Sequence, residues 1–381
     1  MRALLPRRGS LALLALAWAA CAAPTTAPET PAVEPAPAAS SPASEPVTAT
    51  DPVAPKPEPA PAADEPTTTA PLAPLSPEIR QRLDQIRADP PPPQLVRDTH
   101  YWISNEHSHF LWHDYVRELG GTLVGVATDQ NYLLAGWSRA ELLVLMDFDQ
   151  GVVDLHRAYG VIFADSPTPQ QFLARWSAER EAEVLERLGE QLGDQAAGPQ
   201  QAYRGARALV AERLAAVDTQ YRERGLPTFL SDETQYQHLR NLWRNGRVIA
   251  VRGDLTADQT MADLGQALHE ADLPVTVLYL SNAEQYFRYG PQFRRNVTGL
   301  PMAEHGVVLR TNGWRQFGYV ADEEYHYNVQ PAPLFAAWMS RAYAWGVPKM
   351  LERRTKTKVR GLSVLDQPPT RSRAAASASR K

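Results

Sequence analysis

Residues 120–156, GGTLVGVATDQNYLLAGWSRAELLVLMDFDQGVVDLH, constrain the fold of this chain more than any other stretch. Residues 122–127 are short, apolar and rich in small side chains, with Gly120-Gly121 before them and Thr128-Asp129-Gln130 after. That pattern predicts a buried strand followed by a polar turn. Asp129 is a fitting N-cap for the brief segment 131–137, which is too short to be assigned as a helix from its pattern alone. Residues 141–146 (ELLVLM) then form a nearly continuous apolar run that ends in Asp147-Phe148-Asp149. Strands buried on both faces read this way, because helices cover both sides of a parallel sheet. An acid at the carboxyl end of the second strand suits a nucleoside-binding α/β fold, where it accepts hydrogen bonds from ribose hydroxyls.

The α/β rhythm returns later. Residues 247–251 (RVIAV) lead into Gly253-Asp254, residues 261–271 form an amphipathic helix, and 275–280 (VTVLYL) lead into Ser281-Asn282-Ala283-Glu284. Four strands therefore each end on polar residues, and parallel strands present those ends at one edge. The expectation is that Asp129, Asp147, Asp254, Asn282 and Glu284 line one crevice there. Residues 151–163 read as a helix. Residues 170–192 and a segment through Leu209, Val210, Leu214, Val217 and Tyr221 read as a helical pair inserted at about 168–225, with Gly198-Pro199 as the break between them. Residues 307–310 and 325–329 read as a late antiparallel strand pair. The fold class expected is α/β: a Rossmann-like, mainly parallel sheet with helices on both faces.

The ends of the chain differ in character. Arg2, Arg7 and Arg8 precede an apolar run at 11–20 and Cys21, the one cysteine in the chain. A basic start followed by about ten apolar residues describes an export signal, and such a run is too short to span a bilayer. The placement of Cys21 after Ala19-Ala20 resembles the lipobox of bacterial lipoproteins, with Trp18 where that motif usually has Leu. The resemblance implies lipidation of Cys21 and a lipid membrane as partner. Ala22 is not the aspartate that retains such proteins at the inner membrane, so the outer membrane or cell surface is expected. Residues 22–75 are rich in Pro, Ala and Thr and have too little apolar bulk to offset their ordering entropy, so they read as a disordered tether. The domain itself is expected over 76–364, beginning with a short helix at 78–88. The basic end from Arg353 reads mostly as solvated, with a disordered tail at 365–381. The formal net charge is −4, and no basic stripe interleaved with aromatics lies inside the domain, so nucleic acid is not an expected partner.

His107, His109 and His113 leave three readings open: a metal site, a polar segment lining a cleft, or plain surface. Phe110 stands where the zinc-protease spacing would place Glu. No Gly-x-Ser-x-Gly elbow occurs.

In order, these parts resemble class I S-adenosylmethionine-dependent methyltransferases, and residues 103–330 also look like an uncharacterised family of bacterial predicted lipoproteins. The methyltransferase resemblance implies Gly125 and Asp129 beside the methionine part of S-adenosylmethionine and Asp147 on its ribose. It implies Asp254 on the adenine amine, with Ser281, Asn282 and Glu284 facing the acceptor and Glu284 and Asn282 as catalytic candidates. That family normally carries two or three glycines after its first strand, where Ala127 and Asp129 stand here. Fewer glycines leave less room for backbone to approach a ligand. S-adenosylmethionine is also a cytoplasmic metabolite, at odds with an envelope protein. The reading preferred from sequence is therefore a lipid-anchored domain that binds a nucleoside-type or other small metabolite at the strand ends, with or without catalysis. The alternatives are a methyltransferase, and a nucleotide-sugar transferase using a divalent metal on Asp147-x-Asp149.

Overall fold

The computed structural model describes residues 72–95 and 98–370. Contacts divide the chain into Met1–Thr67 and Thr68–Lys381, and every described residue belongs to the second unit. The export signal, Cys21, the tether up to residue 71 and the tail at 371–381 lie outside the described residues. Among the described residues, no helix is long and apolar enough to cross a membrane.

In chain order the elements are α1 (Pro77–Asp84), a 3-10 turn at His109–Trp112, α2 (His113–Val116), β1 (Thr122–Val126), α3 (Gln130–Ser138), β2 (Leu142–Asp147) and α4 (Gln150–Asp165). The helical insertion follows as α5 (Pro169–Ala174), α6 (Glu181–Leu192) and α7 (Ala197–Glu223), and α8 (Glu233–Arg244) leads back to the sheet. Then come β3 (Val248–Arg252), α9 (Thr260–Glu270), β4 (Val275–Tyr279), α10 (Pro291–Thr298), β5 (Met302–Asn312) and β6 (His326–Pro331). The chain closes with α11 (Ala332–Met339), α12 (Val347–Leu351), β7 (Thr355–Lys356) and β8 (Leu362–Val364).

These strands form one sheet in the order β3-β2-β1-β4-β5-β6-β8-β7. The first five are mutually parallel, and β6 runs antiparallel to β5, with Val307 opposite Pro331 and Asn312 opposite His326. This is the mainly parallel α/β sheet with a late antiparallel pair that the sequence predicts. Because side chains alternate across a strand, β1 sends Leu123 into one core and Val124 and Val126 into the other. The first core packs α3, α4 and the insertion helices, with Trp137, Tyr159, Phe163, Trp176 and Tyr203 among its large side chains. The second packs α9 to α12 through Met261, Leu264, Phe293, Trp338 and Met350.

Several local readings change. The stretch 170–192 is two helices, α5 and α6, separated at Trp176-Ser177. Gly198-Pro199 does not break a helix but lies in the first turn of α7, where the missing N–H of proline has no intrahelical acceptor to lose. The basic segment after Arg353 adds β7 and β8 to the sheet, β8 pairing parallel to β6 and β7 antiparallel to β8. Expected as solvated, it is recruited because Leu362 and Leu365 are buried.

Asp89, wholly buried, fixes the turn after β3: its carboxylate accepts the backbone N–H groups of Asp254 (2.9 Å), Gln259 (3.2 Å) and Thr260 (3.3 Å). Replacing Asp89 by Ala strands these donors, and buried unsatisfied groups cost about 1–3 kcal/mol each. Chemical denaturation of Asp89→Ala should therefore show a loss of roughly 3 kcal/mol in unfolding free energy, with an unchanged m-value.

Candidate functional site

Strand order reverses between β1 and β4, and in open α/β sheets ligands bind outside the carboxyl ends of the strands at such a point. Two residues flanking this point hold left-handed backbone without being glycine: Ala127 (φ 65°) just after β1, and Ser281 (φ 48°) just after β4. Each conformation costs on the order of 1–3 kcal/mol and persists only where its surroundings over-determine it.

At Ala127 the surroundings are hydrogen bonds from two sides. Its N–H donates to Oδ2 of Asp147 (3.1 Å), and its carbonyl accepts from Nε2 of His156 (2.8 Å). Since a carbonyl only accepts, His156 carries its proton on Nε2 and takes the Tyr132 hydroxyl on Nδ1 (2.9 Å). Burial pushes its pKa down to about 4. The other oxygen of Asp147 accepts the N–H of Asp149 (2.9 Å). Burial, opposed by these backbone donors and reinforced by the Asp149 charge, pushes the Asp147 carboxyl up to about 7.

At Ser281 the constraint is Glu106. This carboxylate is wholly buried and enters the sheet edge from the segment before α2. Ser281 and Thr311 donate their hydroxyls to Oε1, each at 2.6 Å; Tyr279 donates to Oε2 at 2.6 Å, and His109 Nε2 lies 3.2 Å from the same oxygen. Burial alone would push Glu106 up, but His109, Ser281 and Thr311 outweigh it and hold the group below the usual carboxylate range. Thus β4, β5 and the 104–116 segment meet on one anion.

Beside it lies a second buried charge. Asp129 accepts from Nε of Arg213 (2.9 Å) and from the N–H of Ser104 (2.8 Å). Arg213, on α7, also donates to the Glu106 carbonyl (2.8 Å) and to Nδ1 of His107 (2.8 Å), so that nitrogen is unprotonated. Burial opposes ionisation of Asp129, yet Arg213 and Ser104 hold its pKa down.

The sequence-predicted residues are thus distributed over several places. Asp129 and Ser281 meet in the buried cluster, and Asn282 sits at its rim, donating to the Tyr325 hydroxyl (3.3 Å). Gly125 lies beneath: a Cβ there would fall 1.9 Å from Oδ1 of Asn131, whose amide donates to the Val126 carbonyl (2.8 Å). Its smallness serves packing of β1 against α3. Asp147 faces the Ala127 turn. Asp254 is exposed and accepts from the N–H (2.7 Å) and hydroxyl (2.8 Å) of Thr256 in its own turn. Glu284 is buried elsewhere, paired with Arg310 and accepting the Tyr289 hydroxyl. A single crevice holding all five polar residues does not form, because each carboxylate is taken up locally by a cation or by backbone donors. The histidines likewise diverge, His107 to Arg213, His109 to Glu106 and His113 to Asp114. Among the described residues, no group of three metal-ligating side chains occurs.

Sequence reasoning missed Glu106, Arg213, Tyr279, Thr311 and Arg310. Arg213 had a signal: it falls on the stripe Val210, Leu214, Val217 of α7, where a buried arginine demands a buried acid.

At this edge a groove of about 380 Å³ lies past β4, lined by Tyr286, Phe287, Arg288, Trp314 and Trp345, with Glu284 in its wall.

A family model described as a domain of unknown function, DUF7790, matches residues 101–366. The chain belongs to this family. The DUF7790 region takes in the whole sheet and the buried cluster. No curated protein matches it. Among solved structures it is similar to the rRNA methyltransferase aviRa from Streptomyces viridochromogenes, at 13% identity over 60% of this chain and 79% of that one, with a TM-score of 0.25. The fold assignment rests on strand order and direction rather than on that likeness.

Two measurements check this account. Removing one partner of a buried ion pair costs about 3–5 kcal/mol, so Arg213→Met should destabilise by that order. In a double-mutant cycle, Arg213→Met on an Asp129→Asn background should cost much less. For Asp147, a folded pKa near 7 against an ordinary 3.8 means that the native state binds more protons between those values. Its contribution to stability therefore falls as pH rises from about 4 to about 7. His156, lowered from 6.5 to about 4, acts oppositely, its contribution being lost as pH falls through that window. Subtracting the Asp147→Asn stability profile from the parent's should leave a difference that declines from pH 4 to 7 and is flat above.

Proposed function

We propose that the DUF7790 domain is a small-molecule-binding module of the cell envelope, anchored to a membrane through an acylated Cys21, that holds its ligand at the carboxyl edge of the sheet without transferring a methyl group. One observation carries the reading: the switch point where a nucleoside cofactor would lie is filled by the chain's own Glu106, Asp129 and Arg213, all buried and mutually satisfied. Placing S-adenosylmethionine there would strip Arg213 from Asp129, leaving a buried carboxylate unpaired. Asp147, the residue the methyltransferase resemblance assigns to the ribose, already accepts two backbone N–H groups. These residues do not fit that cofactor. Asp147 and Asp149 are no better placed to share a cation, since Asp149 accepts from Gly151 N–H (2.8 Å) and contacts His100 (2.7 Å). The groove past β4 offers a ligand room, and Glu284, one of the positions that the resemblance turns toward an acceptor, stands in its wall.

Calorimetry on the mature protein with S-adenosylmethionine should give no binding heat. Saturable binding abolished by Asp147→Ala would restore the methyltransferase alternative. For the anchor, Cys21→Ser should release the protein from the membrane fraction and abolish labelling by a fatty-acid analogue; unchanged membrane association would refute lipidation.

A further inference from the structure

We infer that the groove past β4 takes a planar ring bearing an anionic group, the ring stacked on the aromatics and the anion on Arg288. The inference rests on the binding-module reading and specifies its ligand class.

The groove's composition is selective. Tyr286 is 66% exposed and Trp345 40% exposed, and the partly buried Phe287 and Trp314 line the same groove. Single exposed apolar residues are ordinary, but a contiguous aromatic patch around a concavity marks a binding site. Its volume of about 380 Å³ lies in the ordinary range for small-ligand pockets, roughly 300–1,000 Å³.

Charge narrows the class. The guanidinium of Arg288 lies 5.3 Å from the centre of the Trp345 ring, and among the described residues it has no ion-pair or hydrogen-bond partner. Glu284, the acid in the groove wall, is spent on Arg310 and Tyr289. The groove therefore offers an uncompensated positive charge beside π faces. Quaternary ammonium ligands also seek aromatic cages, but here Arg288 would repel them. A neutral ring would stack and leave the guanidinium unused. A flat ring with a phosphate or carboxylate uses both, through stacking and a charge-assisted hydrogen bond.

Two hydrogen bonds hold the walls together. The N–H of Tyr289 donates to the Trp345 carbonyl (3.0 Å), joining the turn after β4 to the loop before α12, and the N–H of Gly313 donates to Oε1 of Gln285 (2.8 Å), joining that turn to the end of β5.

The probes are adenosine 5′-monophosphate, adenosine, choline and a neutral disaccharide, titrated into the mature protein by tryptophan fluorescence and calorimetry. The monophosphate should bind most tightly and quench fluorescence, with choline giving no signal. Arg288→Ala should weaken the monophosphate on the order of tenfold while changing adenosine little; Trp345→Ala should weaken both. These side chains lie at the surface, and unchanged melting temperatures will show that the variants are folded. Absence of monophosphate binding, or tighter binding of choline or the disaccharide, overturns the inference. Monophosphate binding indifferent to Trp345→Ala also overturns it, while leaving the binding-module reading intact with its site elsewhere. Failure of that reading has a separate signature, saturable binding of S-adenosylmethionine.

Discussion

The carboxylate of Glu106 is the constraint on which the rest of this edge depends. A buried anion is tolerated only when donors surround it, and here they come from β4, β5 and the 3-10 turn before α2. None of these elements can shift without uncovering it. The carboxylate also fixes its own backbone carbonyl, which receives Arg213, so the charge of Asp129 is neutralised across 84 residues of sequence by a helix whose position depends on the first anion. Within the cluster, loss of either Asp129 or Arg213 leaves the other buried and unpaired.

Backbone strain follows the same logic. Ala127 and Ser281 sit in left-handed conformations at the two strand ends beside the switch point, where glycine would be the cheap solution. The side chain of Ser281 is needed for its hydroxyl, and the strained peptide of Ala127 is gripped by Asp147 and His156. Strain at such a position commonly accompanies ligand binding. In this chain the surroundings that sustain it are supplied internally.

How far the fold was legible depends on the range of the forces involved. Strands β1 to β4 were readable because burial on both faces writes an apolar run directly into local sequence. The antiparallel pair was readable in type, though β5 begins earlier, at Met302, since its first residues are held by parallel pairing with β4 rather than by their own hydrophobicity. Strands β7 and β8 were invisible: five residues in all, among arginines and lysines, they form where β6 offers an unpaired edge and Leu362 and Leu365 find burial. The candidate site was less legible than the fold. Polar strand ends were evident, but whether Glu284 faces a crevice or Arg310 is decided by tertiary contacts that no local pattern encodes.

The far end of the sheet has a meaning of its own. An exposed strand edge is a template on which another copy of the chain can add, and proteins blunt such edges with short strands and charge. Here the last strand is Thr355-Lys356, two exposed residues flanked by Arg353, Arg354, Lys358 and Arg360. A second molecule approaching in register would gain at most a pair of ladder bonds while bringing two like-charged rims together. By its shortness and its flanking charge, this edge carries two of the features that make a strand edge a poor template for pairing.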